Sequence, residues 1–176
     1  MNYRILHFSE ISRELFRTFE RHQTVTKCWR KIDGQWCIRD IAFIDQWSEE
    51  DYAALVRCLR HTLSTGGVVF GAFDDSGRLK GFTSVESKPF GTVSRYLDLS
   101  CLHVSEELRG QGIGRKLFTL AAEWAKAHGA DKLYISGHSS VETQAFYRAM
   151  GCTEAAEYNM EHVLLEPCDC QLELLL

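Results

Sequence analysis

Arg109-Gly110-Gln111-Gly112-Ile113-Gly114 decides how the rest of this chain is read. It follows an apolar run, Tyr96 to Val104, and opens an amphipathic pattern that ends near His128. Glycine at every second position removes the Cβ atoms that would hold a ligand away from the backbone. Where such a loop opens a helix, its N–H groups are orphan donors at the positive end of the helix dipole. The stretch therefore reads as a main-chain anion site suited to a diphosphate. Arg109 at its start and Arg115-Lys116 after it add positive charge. A P-loop spacing, G-x-x-x-x-G-K-[S/T], is absent, and G-x-G-x-G is not the dinucleotide fingerprint G-x-G-x-x-G. What remains is R-x-x-G-x-G between a strand and a helix.

At 176 residues, with 45% hydrophobic and 25% charged residues, the chain has the size and composition of one globular domain. A net charge of −4 argues against a nucleic-acid or anionic-membrane surface and fits a cationic or neutral substrate better. No apolar run is long enough to span a bilayer, for which about 18 residues are needed. Met1 to Leu6 lacks a signal-peptide core, so a cytoplasmic location is expected. The seven cysteines, an odd number without a C-x-x-C spacing, read as free thiols, and no metal site is expected.

Periodicity places elements on both sides of the glycine loop. Tyr3 to Phe8 reads as a strand, followed by a helix capped by Ser9 with Ile11, Leu15, Phe16 and Phe19 on one stripe. Asp33-Gly34 is a hairpin signal inside Thr24 to Phe43. Ser48 and Asp51 form a capping box ahead of a helix that Gly66-Gly67 stops. Strands follow at about 68–73, 79–86 and 95–104, then the helix after the glycine loop with Gly129 as its cap, and a strand at 132–136. Ser139 to Glu142 reads as a second capping box, opening a helix through Met150. Cys168 to Leu176 alternates as a half-exposed strand, with Cys168, Cys170, Leu172 and Leu174 on one face.

The R-x-x-G-x-G loop resembles the acyl-CoA-binding loop of the GNAT acetyltransferase superfamily. Gln144 to Cys152 resembles the F-Y-x-x-x-G-F block that ends that fold, with Cys152 in place of the last Phe. The element order is similar too, strongly over about residues 67–151, and loosely over 1–20 and 48–66. The resemblance implies one α/β domain over 1–176, a central mixed, mostly antiparallel sheet flanked by helices. The resemblance identifies no counterpart for residues 21–47, which are read as an acceptor-site wall or a homodimer contact. The implied co-substrate is acetyl-CoA. It would be held by Leu102, His103 and Val104, by Arg109, Gly110, Gln111, Gly112, Ile113, Gly114 and Arg115, and by Ser140 and Phe146. The backbone of Leu102 and Val104 would bond the pantetheine arm like an added strand. Tyr147 would protonate the departing thiolate, and a phenol of pKa about 10 can do so to a thiol of pKa about 8.5 at ~2 kcal/mol.

Other candidates keep two readings each. Asp98, on an apolar strand eleven residues before Arg109, sits where relatives carry a catalytic carboxylate or imidazole. It would receive the amine proton through water, hold an ammonium, or bond nearby backbone, since a lone buried carboxylate is costly. His103 falls on the opposite face by alternation and reads as structural, and His138 is an alternative base. Ser140 either bonds the cofactor arm or simply opens a helix. Glu86 faces the acceptor or solvent. Trp36 and Trp47 beside Asp40 and Asp45 would suit a cationic amine.

The expected reaction is acetyl transfer to a primary amine by direct attack, with no metal and no covalent enzyme intermediate. The Trp-rich stretch and the carboxylates from Asp40 to Asp51 favour a small cationic acceptor, and Cys28 to Trp36 with Glu166 to Gln171 resemble aminoglycoside-type acetyltransferases, including those acting on kasugamycin. A protein N-terminus or lysine as acceptor, or an acyl-CoA sensor without turnover, are the alternatives.

Overall fold

The computed structural model describes residues 1–176. Seven strands form one sheet in the order β1-β4-β5-β6-β7-β9-β8. They are β1 (Asn2–Ile5), β4 (Val68–Phe73), β5 (Leu79–Val85), β6 (Tyr96–Val104), β7 (Lys132–Gly137), β8 (Thr153–Glu154) and β9 (Cys170–Leu175). Every neighbouring pair is antiparallel except β6 and β7. Strands β2 (His22–Ile32) and β3 (Gln35–Gln46) form a separate hairpin over the stretch read as an insert. Its turn residues Asp33 and Gly34 both have positive φ, 50° and 78°, as the tight primed turns of hairpins require.

Alternation along the strands sends side chains to two cores. On one face Val68, Phe70 and Ala72 pack with α2 (Ile113–Ala127) through Leu117, Phe118, Ala121 and Ala125, and with Tyr147 of α3 (Val141–Ala149). On the other face Val69 and Phe82 pack with α1 (Glu49–Ser64) through Tyr52, Leu55 and Leu59. Helix α1 starts as its sequence requires: the Ser48 hydroxyl accepts from the Asp51 N–H and the Asp51 carboxylate accepts from the Ser48 N–H at 2.7 Å.

Four local expectations change. The apolar stripe after Ser9 forms two short 3-10 turns, Phe8–Glu10 and Arg13–Phe16, instead of an α-helix. Glu10 ties the His7 N–H and Arg4 to the first turn, and Ile11 leaves it in an extended conformation, so the stripe is buried without a helical ladder. The second cap is Ser140, whose hydroxyl accepts from the Thr143 N–H, while Ser139 Oγ accepts from Arg30 instead. A short helix, α4 (Met160–Leu165), has no counterpart in the reading, because its outward residues Met160, Leu164 and Leu165 mask any amphipathic period. Finally, Cys168 lies exposed in the turn that the Asp169 N–H closes on the Glu166 carbonyl at 3.0 Å. The last strand therefore begins only at Cys170, and the two sulfurs do not share a face.

Candidate active site

The site starts with a defect in the sheet. β6 and β7 pair in parallel at only three positions, ending at Asp98 opposite Tyr134. Beyond that point they diverge, and residues 99–104 of β6 have no strand partner on the β7 side. The Ser105 N–H donates to the Lys80 carbonyl at 2.9 Å, which fixes the parity of the antiparallel β5–β6 ladder. Residues 105, 103 and 101 turn their backbone groups to β5, so those of Leu102 and Val104 face the gap. A ligand with amides of its own can add to that edge as a strand would.

The gap opens into a cleft of about 1370 Å³. At one end lies the glycine loop. Gly110 and Gly112 have φ of +76° and +82°, and no atom stands within 4 Å of where a Cβ would be on either. Gly112 is the N-cap of α2 and has no side chain with which to cap it, so the first-turn N–H groups look out over open space. Gly110, Gly112, Ile113, Gly114, Arg109 and Arg115 all line the cleft. Arg109 reaches back so that its Nε donates to the Val104 carbonyl at 3.2 Å. Phe146 closes this end, its ring 3.5 Å from the Cβ position of Gly114 and edge-on to Phe118. Bare amides, a helix dipole and two arginines fit a diphosphate, and the open Cβ positions leave it room.

Tyr147 stands on α3 at the centre of the cleft wall, under the carbonyl end of β7. Its ring lies 3.1 Å from the Cβ position of Gly137. It is buried, and no protein group hydrogen-bonds its hydroxyl, although the residue lines the cleft. Burial pushes the phenol well above its usual value, and the nearby Cys152 and Asp169 push it the same way. The hydroxyl therefore stays protonated.

The far end of the cleft carries groups that the sequence did not single out as a set. Arg21 is buried, bonds Asp45, and leaves Nε and Nη1 without partners. Arg30 donates to the Ser139 hydroxyl at 2.6 Å and to the Trp29 carbonyl at 2.7 Å. His138 accepts the Ser140 N–H at Nδ1, and burial lowers its pKa. The turn from Glu166 to Asp169 forms the opposite wall, and the Asp169 carboxyl is pushed up to about 8 by burial and by the Glu166 carboxyl beside it. His103 also lines the cleft, packed on Trp47 and Phe82, and burial drives its pKa down to about 3. It is neutral, as a structural imidazole would be.

Six sequence candidates lie outside the cleft lining. Asp98 sits just below the splay, with Oδ2 bonded at 2.6 Å to His162 Nε2 on α4 and Oδ1 buried without a partner. Glu86 stands behind the wall, accepting hydrogen bonds from Thr62 and from Ser100, whose own side chain borders the cleft. Ser140 is fully buried as the α3 cap and holds Gln23 and Thr143. Trp36 and Asp40 fall on the distal half of the hairpin, where Trp36 donates to Glu154 at 2.9 Å and Asp40 is exposed beside Lys27. The base of the same hairpin does reach the cleft, through Phe43, Asp45 and Trp47 at its end. Gln111 is in the loop but turned away, its amide near the Glu107 carbonyl.

Residues 28–152 match the model of the acetyltransferase (GNAT) family. No curated protein matches the chain in sequence. Among solved structures it is similar to a nourseothricin acetyltransferase, with 20% identity, a TM-score of 0.71, and 99% of this chain and 97% of that one covered. A protein described as a streptothricin acetyltransferase, from Bacillus anthracis and in complex with acetyl coenzyme A, superposes with a TM-score of 0.73 at 14% identity, covering 99% of each chain. Glucosamine-6-phosphate N-acetyltransferase from Arabidopsis thaliana does so with a TM-score of 0.53 at 16% identity, over 90% of this chain and 95% of that one.

Proposed function

This chain belongs to the GNAT acetyltransferase family, whose acyl donor is acetyl-CoA, and on that footing we propose that it acetylates a primary amine of a small, cationic acceptor by direct attack. Acetyl-CoA supplies an activated acyl carbon and a thiol leaving group. The observation that carries the reading is the Tyr147 hydroxyl, which has no protein partner and opens on the same cleft as the bare glycine loop and the unpaired edge of β6.

In this reading the first-turn amides of α2, with Arg109 and Arg115, hold the diphosphate. The backbone of Leu102 and Val104 aligns the arm, and Phe146 packs along it. A backbone N–H of the same edge steadies the charge that develops on the carbonyl oxygen, a contact that contributes a few kcal/mol. Because burial raises its pKa, the phenol of Tyr147 is a reluctant acid. It hydrogen-bonds the sulfur and releases its proton only as negative charge builds there.

Two features support a small acceptor. The hairpin base and the Glu166–Asp169 turn wall the far end of the cleft, where Phe43, Trp47, Asp45 and Glu166 stand beside Arg21 and Arg30. Two similar structures are named for nourseothricin and streptothricin, which is in line with that class. The test is release of free CoA thiol with aminoglycosides, streptothricin-type amines, polyamines and peptides. Turnover with any of the small amines but not with peptides supports the proposal; turnover with peptides alone, or none with any amine despite acetyl-CoA binding, refutes it.

A further inference from the structure

An aliphatic ammonium cannot attack a thioester until it has lost a proton, so some group in the cleft must take it. Most titratable groups along the wall are already engaged. Asp45 is bonded to Arg21, and Glu106 to His22. His103 is packed between Trp47 and Phe82, and His138 spends Nδ1 on the Ser140 N–H. Asp98 is held by His162 outside the lining.

The turn after α4 is placed differently. Cys170 of β9 pairs with Gly137, the last residue of β7, so Asp169 stands at the open mouth of the β6–β7 splay. The Cβ position of that same Gly137 is 3.1 Å from the Tyr147 ring. Asp169 and the phenol thus flank one point of the cleft, at the carbonyl end of β7. Asp169 also has Glu166 beside it within its own turn, and both line the cleft.

We propose that Asp169, backed by Glu166, is the group that removes the proton from the acceptor ammonium. The assignment rests on the amine-acetylation reading and adds a residue to it. In the step, the Asp169 carboxylate takes one proton from the ammonium and the nitrogen lone pair forms the C–N bond. The C–S bond breaks, the Tyr147 proton goes to sulfur, and the second nitrogen proton restores the phenol. Asp169 then returns its proton to solvent, so the sum is ammonium plus thioester giving amide, thiol and one released proton.

The surroundings suit this role. Burial and the adjoining Glu166 hold the Asp169 carboxyl well above the ordinary carboxylate range, which makes it a stronger base when ionised. The groups that face it are Glu166 from its own turn, His162 from α4, Arg30 from the hairpin, Tyr147 from α3 and Cys170 from β9. The two cations, His162 and Arg30, pull its pKa the other way but are outweighed.

Two readings of the intact protein test it, once wild-type turnover with an amine has established the reaction. In the first, carboxyl NMR of the ligand-free protein follows the Asp169 signal. It should titrate with a midpoint of about 8, and at a lower pH in Glu166→Gln. Titration in the ordinary carboxylate range, or a midpoint unmoved by Glu166→Gln, overturns the proposal. In the second, kcat/KM is measured against pH for acceptors whose amines differ in basicity. The wild type should show one limb that moves with the amine and one that does not. Asp169→Asn should lose the fixed limb and about 10²-fold in kcat/KM with a basic amine. It should lose much less with an amine already neutral at the assay pH, while acetyl-CoA affinity holds. An equal loss with both amines marks a structural role and overturns the proposal, as does a retained limb. Absence of turnover in the wild type would instead sink the underlying reading.

Discussion

Gly112→Asp separates folding from diphosphate binding, because the structure predicts opposite consequences for the two. Gly112 has φ +82°, and no atom lies within 4 Å of its Cβ position, so the substitution meets backbone strain but no clash. A side chain in that left-handed region costs roughly 1–2 kcal/mol, and aspartate tolerates it better than most residues. A carboxylate at the N-terminus of α2 returns about 0.3–1 kcal/mol through the helix dipole. The net loss of stability should be about 1 kcal/mol or less. The same carboxylate would stand over the amides assigned to the diphosphate. One charge about 5 Å from each of two phosphate charges is repelled by about 2 to 7 kcal/mol, as the effective dielectric falls from ~80 to ~20. Acetyl-CoA affinity should therefore drop roughly 20-fold to 10⁵-fold by calorimetry. Gly77→Asp is the control: its φ of +74° and open Cβ position are alike, but its turn between β4 and β5 is no part of the cleft. If Gly112→Asp keeps acetyl-CoA affinity within about threefold of Gly77→Asp, the glycine loop does not hold the diphosphate and the reasoning fails.

Tyr147→Phe should lower turnover by about 10²–10⁴ and leave acetyl-CoA affinity nearly intact, since only the hydroxyl is lost; an unchanged kcat removes Tyr147 from the proton path. Leu117 is fully buried between α2 and the sheet, so Leu117→Ala should cost about 2–5 kcal/mol in denaturant unfolding without altering which acceptors are used. His162→Gln should cost about 2 kcal/mol at pH ~6, less than the 3–5 of a fully buried pair because 27% of the His162 side chain is exposed. Its hydrogen bond to Asp98 raises the folded pKa of His162, so the pair's contribution is fully present below pH ~6.5 and lost as pH rises through the folded value. The gap in stability between wild type and His162→Gln should thus be wide at pH ~6 and narrow at pH ~9; a gap independent of pH would show that the imidazolium contributes nothing.

What the sequence discloses well is whatever depends on local rules. The Ser48–Asp51 box, the Asp33-Gly34 turn and the glycine loop each form as written, because dihedral preference and capping are settled within a few residues. What it hides depends on tertiary distance. Ile11, Leu15, Phe16 and Phe19 carry a helical stripe, yet 3-10 turns pinned by Glu10 bury them just as well. Trp36 and Asp40 share a hairpin with Asp45 and Trp47, and Arg30, paired with Cys37 between them, borders the cleft; but Trp36 turns to Glu154 and Asp40 to solvent beside Lys27. Asp98 lies on the strand that forms the wall, and nothing in its neighbourhood announces His162, sixty-four residues on. Asp169 illustrates the converse case. Its turn looks like an ordinary strand entry until the pairing of Cys170 with Gly137 places it beside Tyr147.

A crystal structure of the protein with coenzyme A tests the central claim most directly. The account predicts diphosphate oxygens within hydrogen-bond distance of backbone N–H groups between Gly110 and Arg115, with the thiol end beside Tyr147. A diphosphate held elsewhere, with those amides facing only solvent, would contradict it.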